Sequence, residues 1–147
     1  WSIIWLKKCF LDSKMSVLIH SLPRGFSRKA LKKIIEKILA GEKKKGTSLT
    51  LLFLGPAKMA KLNLKYRRKK GPTDVLSFPA LEAGYWGEVI ICPAQVRQNA
   101  RRFKEEFPKE LQRVLVHGVL HLLGYDHEQS RKKAILMRKK EEYYSYD

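Results

Sequence analysis

At 147 residues the chain has the length of one domain and can bury about two-thirds of its unfolded-chain surface, enough for a real core. Its 44% hydrophobic and 10% aromatic content exclude a disordered chain. Two cysteines without CxxC spacing, Cys9 and Cys92, exclude a disulfide scaffold and suit reduced thiols in the cytoplasm. Thirty-one Lys and Arg against fourteen Asp and Glu leave +17; the charge fits a nucleic-acid partner, or else a solvated Lys-rich surface.

Residues 1–14 read as an extension whose form stays open between strand, docked helix and tail. Their apolar stretch is broken by Lys7 and Lys8, unlike a signal peptide, and no run in the chain approaches the roughly 20 residues of a membrane helix. Met15 is a candidate alternative start, and residues 15–147 read as a single domain. SVLIHS (16–21) is strand-like, with His20 a structural histidine. Ser27 is placed to cap RKALKKIIEKILAG (28–41), where Ala30, Leu31, Ile34, Ile35, Ile38 and Leu39 recur at helical spacing. TSLTLLFL (47–54) is a continuous apolar run of buried-strand type. Pro56 opens the helix PAKMAKLNLKY, followed by a basic loop, RRKKGPTD (67–74).

VLSF (75–78) reads as a short strand closed by Pro79, LEAGYWG (81–87) as a connector and EVIIC (88–92) as another strand. That connector is too short for a helical crossover, so the two strands should be antiparallel. Pro93 starts a helix through PAQVRQNARRFKEE, Pro108 starts PKELQRVLVHGVLHLLG, and Ser130 precedes a last helix, RKKAILMRKKEEYY. The expected fold is α+β (mixed α/β). About five helices pack on a small mixed sheet, and the functional centre lies on one helix and the turn after it.

The segment VLVHGVLHLL (114–123) is apolar nearly all round and should be a buried helix. His117 and His121 lie four residues apart on one face of it, and Gly124 permits a reversal that returns His127. Buried imidazoles need partners, and three converging on one point suit zinc, with nickel, copper or iron as alternatives. Three protein ligands leave a fourth tetrahedral position open, as in catalytic zinc sites. The spacing approaches that of metzincin peptidases, but Gly118 stands where their general-base glutamate would be. A peptidase is therefore disfavoured, although Glu128 could in principle act as base.

HGVLHLLGYDH (117–127) resembles the signature of the YbeY endoribonucleases. LNLKYRRKKGPTDVLSFP (62–79) is similar to a second motif of that family, and GEVIIC (87–92) to a third, with Glu88 in place of an aspartate. The resemblance runs over residues 15–142 and leaves 1–14 outside. It implies metal-dependent, single-strand-specific RNA cleavage in 16S rRNA 3′-end maturation and ribosome quality control, by a monomer that meets rRNA and ribosomal proteins. By position it makes His117, His121 and His127 the metal ligands and places Arg67 beside His117 in the catalytic machinery. Arg67 could hold a phosphate bidentately or be a solvated loop charge. Asp74 and Asp126 could be carboxylates supporting the ligands, or turn residues. Ser77 and Phe78 could line the site, with Phe78 alternatively core, and Met137 is expected in the core beneath. Two other readings remain open: a non-catalytic rRNA-binding assembly factor with a structural metal, and another zinc hydrolase.

Overall fold

The computed structural model describes residues 16–44 and 47–146. The expectations for residues 1–14 and for Met15 lie outside the described residues. In chain order the elements are β1 (Ser16–His20), α1 (Arg28–Gly41), β2 (Ser48–Phe53), α2 (Pro56–Arg67), β3 (Val75–Glu82), β4 (Tyr85–Ile91), α3 (Pro93–Phe103), α4 (Phe107–Leu122) and α5 (Arg131–Ser145). The strands form one sheet ordered β1-β2-β4-β3. β1, β2 and β4 run parallel, and β3 lies antiparallel to β4 at the edge. This is the mixed-sheet α+β architecture expected from the sequence.

Both faces of the sheet are covered, which is why the central strands read as unbroken apolar runs. Leu49, Leu51 and Phe53 of β2, with Val89 and Ile91 of β4, join Ile35, Ile38, Leu39, Leu115 and Leu120 of α1 and α4 in the main core. The alternate residues face the other way. Ile90 and Cys92 meet Leu76 of β3 and Met59 of α2 in a smaller core, against which Leu52 and Phe78 pack. Met137 of α5 is buried in the main core. Ser27 caps α1 by accepting from the Ala30 amide at 3.2 Å, and Ser130 caps α5 by accepting from the Lys133 amide at 3.2 Å.

Two expectations are corrected. Pro79 does not close its strand: β3 continues to Glu82, β4 begins at Tyr85, and only Ala83 and Gly84 turn between them. Proline is tolerated because β3 is an edge strand and its outward side needs no ladder donor. Opposite it, Gly87 has φ +123, and a Cβ there would land on the Phe78 carbonyl, so only glycine lets the two strands approach. The third helix is also shorter than expected. It ends at Phe103, where Lys104 turns left-handed (φ 54) and the Glu105 amide bonds back to the Ala100 carbonyl at 2.9 Å.

Candidate metal centre

α4 lies against β3 and β4, and Gly118 sits in that contact. A Cβ at 118 would stand 2.8 Å from Val75 Cγ2 and 2.8 Å from Val89 Cγ1. The Ser77 hydroxyl donates to the Gly118 carbonyl at 2.7 Å, pinning β3 to the helix at that point. Position 118 therefore faces the sheet and has no room for a carboxylate. The absence of a peptidase-type base has a packing cause as well as a chemical consequence.

With Gly118 against the sheet, His117 and His121 stand one turn apart on the side facing an open cleft. The helix stops at Leu122, and Gly124 takes φ +99, beyond the easy reach of a residue with a Cβ. The Gly124 amide bonds to the His121 carbonyl at 3.0 Å and the Tyr125 amide to the Leu120 carbonyl at 3.1 Å. The chain reverses there and returns His127. Asp126 stabilises the turn by accepting from the Glu128 amide at 2.8 Å.

The three imidazoles converge. Ring centroids are 4.6 Å apart for His117 and His121, 5.0 Å for His121 and His127, and 5.5 Å for His117 and His127. One ring nitrogen from each lies within 4.8 Å of the others. Two nitrogens on one tetrahedral zinc ion lie about 3.4 Å apart, so the rings have to draw together by about an ångström to share one ion. Burial and the neighbouring charges of His117 and His127 push the His121 pKa below its ordinary value. That favours the neutral imidazole, the form that can ligate.

A carboxylate not singled out from the sequence completes this arrangement. His117 Nδ1 is hydrogen-bonded to Glu141 Oε1 of α5. A carboxylate only accepts, so Nδ1 carries the proton and Nε2 keeps a free lone pair aimed elsewhere. This is how metal-ligating histidines are held in one tautomer.

The cleft has a volume of about 650 Å³. The histidines share its lining with Tyr66, Arg67, Asp74, Ser77, Phe78, Arg113 and Asp126. Arg67 is the last residue of α2, and the loop after it is tied down by Asn63, whose side-chain amide donates to the Gly71 carbonyl at 2.8 Å. Arg113 is gripped by Glu110 through two bonds, at 2.9 and 2.6 Å, and that pairing raises its pKa further. Asp74 reaches the lining, but its carboxylate is occupied by Asn99 at 3.1 Å, Thr73 at 3.3 Å and the Val75 amide at 2.8 Å, all of which donate to it. Glu128 lies 3.9 Å from His127 Nε2 on an exposed side chain.

Glu141 and Arg113 were not legible as site residues. Glu141 is 24 residues from His117 and indistinguishable in sequence from its neighbour Glu142. Arg113 is one more cation in a chain rich in them. Only the α4–α5 packing and the cleft wall select them.

Fold and site together define a class: an α+β domain presenting a histidine triad in a cleft lined by both arginines and carboxylates. The family model described as Endoribonuclease YbeY matches residues 19–146. The Endoribonuclease YbeY of Thermodesulfovibrio yellowstonii is 48% identical over 99 residues, spanning 64% of this chain and 62% of that protein. The Thermotoga maritima protein of the same name is 37% identical over 129 residues and 86% of each chain. A solution structure from Thermotoga maritima superposes with a TM-score of 0.66 at 36% identity, covering 88% of this chain and 87% of the other. The chain belongs to the Endoribonuclease YbeY family.

Proposed function

We propose that this protein is a metal-dependent endoribonuclease that cuts single-stranded RNA, acting in 16S rRNA 3′-end maturation and ribosome quality control. The observation that carries the reading is the convergence of His117, His121 and His127 in a cleft whose lining also holds Arg67 and Arg113. Three imidazoles with no carboxylate ligand suit zinc, with nickel or another transition metal as alternatives. When bound, such an ion supplies a Lewis acid and a water of lowered pKa.

The chain's own residues do the rest. His117, oriented by Glu141, offers Nε2, and His121 and His127 complete the ligand set. Arg67 grips a phosphate of the strand through its forked donors, and Arg113, held in place by Glu110, offers its remaining guanidinium N–H groups beside it. Together they hold the scissile linkage against the histidines and offset the charge that builds on the phosphorus oxygens. Asp126 adds negative charge beside His121, and Asp74 holds the loop that leads into β3.

Residues 15–147 form the working domain in this reading, and 1–14 are an extension to it. The family resemblance favours a monomer as the working unit. Among the described residues no helix is long and apolar enough to cross a membrane, and the cytoplasm, where rRNA matures, is the expected location.

The test pairs elemental analysis with cleavage of end-labelled single-stranded RNA, on wild type and His117→Ala. We expect about one metal per chain and cleavage from wild type only. Metal-loaded wild-type protein that binds the RNA yet leaves it intact would instead support a non-catalytic rRNA-binding factor.

A further inference from the structure

Arg67 and Arg113, the cations of the cleft lining, can meet the phosphates of any strand, paired or unpaired. Discrimination between the two needs a group that only an unpaired base can reach. Tyr66 is placed to be that group. It precedes Arg67 at the end of α2, and both side chains line the cleft that holds the histidines. Its ring meets Phe78 of β3 edge-on, with centroids 4.9 Å apart and planes at 67°.

The two rings differ in what supports them. Phe78 packs against the smaller core, whereas Tyr66 belongs to neither core and remains 48% exposed. A half-exposed aromatic ring, propped by a second ring and open to a cleft, has little to do for stability. The Lys65 ammonium lies over the Tyr66 ring, 5.2 Å from its centroid; it is an exposed, flexible side chain that can cede that face to a base. Neighbours in a helix project about 100° apart, yet the Tyr66 and Arg67 side chains both line the cleft. A phosphate held by Arg67 therefore leaves its attached base free to reach the Tyr66 ring. In a duplex that base is already stacked and paired, so its face is not available.

We propose that Tyr66, backed by Phe78, is a stacking platform for one unpaired base of the strand whose phosphate Arg67 holds. The inference rests on the reading of the cleft as an RNA site and names the feature that selects single strands there. Arg67 provides the sequence-independent grip and Tyr66 the requirement for a free base. Because every base has a π-face, this contact should be tolerant of sequence.

The experiment measures binding of zinc-loaded protein by fluorescence anisotropy, before cleavage sets in. Three probes are compared: a short oligouridylate, a wholly abasic phosphodiester of the same length, and the oligouridylate annealed to its complement. Wild type should prefer the base-bearing single strand over both others. Tyr66→Leu should weaken binding of that strand by about 5- to 150-fold, the range for losing one stacked base, and leave the abasic and duplex probes unchanged. Tyr66→Trp should restore the preference, which a merely structural role would not require. An unchanged ratio of base-bearing to abasic affinity in Tyr66→Leu overturns the platform; if Arg67→Ala still weakens all probes alike, the RNA site itself stands. No binding of any probe by wild type overturns both.

Discussion

Glu141 acts at the scale of a single hydrogen bond. By holding His117 Nδ1 protonated it orients the ring with Nε2 free to bind a metal. Loss of such a supporting carboxylate ordinarily costs 10- to 100-fold in metal affinity. We expect Glu141→Gln to lose zinc to a competing chelator at about 10- to 100-fold lower chelator strength, with little change in far-ultraviolet circular dichroism. Unchanged competition would remove Glu141 from the site. A second carboxylate works further off. Glu42, just past α1, accepts from Tyr125 at 2.5 Å, Tyr144 at 2.7 Å and Lys140 at 2.9 Å. It thereby ties α1 to α5 and to the turn that delivers His127. Burial disfavours its charge, but the bonds from Tyr125, Tyr144 and Lys140 outweigh that and hold its pKa below the ordinary glutamate value. A lowered folded-state pKa means stability that is complete above the unfolded value of about 4.3 and is lost as pH falls through the folded value. Wild type should therefore melt above Glu42→Gln at neutral pH, and the gap should close as the solution is acidified below about pH 4. A gap independent of pH would show that the carboxylate's charge is not what holds the cluster.

At the scale of elements, α4 joins the site to the sheet through Gly118. A glycine there sacrifices about 1 kcal/mol of helix propensity against alanine. The alanine methyl would stand 2.8 Å from two valine methyls that β-branching keeps stiff. Overpacking of that kind costs about 1–3 kcal/mol, which exceeds the propensity gain. We expect Gly118→Ala to lower the melting temperature by a few degrees, at about 2–4 °C per kcal/mol for a domain near this size, and Gly118→Glu to be worse. A higher melting temperature for Gly118→Ala would mean that the sheet yields easily and the glycine has another cause. The histidine motif, the capped helices and the antiparallel β3–β4 pair were legible because each depends on residues close in sequence. The ends of β3 and α3 were not. Pro79 looks like a strand terminator until β3 is known to be an edge, and the run after Phe103 looks helical until Lys104 turns left-handed.

The whole molecule carries the charge. At +17 its field draws polyanions from a distance, while only the cations lining the cleft can grip a strand at the site. For single strands the logarithmic salt slope of binding scales as about −0.7 per phosphate neutralised. Binding should therefore fall steeply as salt rises, and Arg67→Ala should reduce the slope by about 0.7. An unchanged slope would return Arg67 to the solvated surface. The sequence by itself determined that three histidines converge, because a helix places residues four apart on one face and a glycine after it turns the chain back. It also determined the family, through three motifs, and the strongly positive net charge. Only the tertiary structure decided which carboxylate supports His117, which arginine joins Arg67, and which aromatic ring is left open at the cleft. Those partners come from α2, β3, α4 and α5, and their meeting depends on how helices pack across a mixed sheet, which no local spacing encodes.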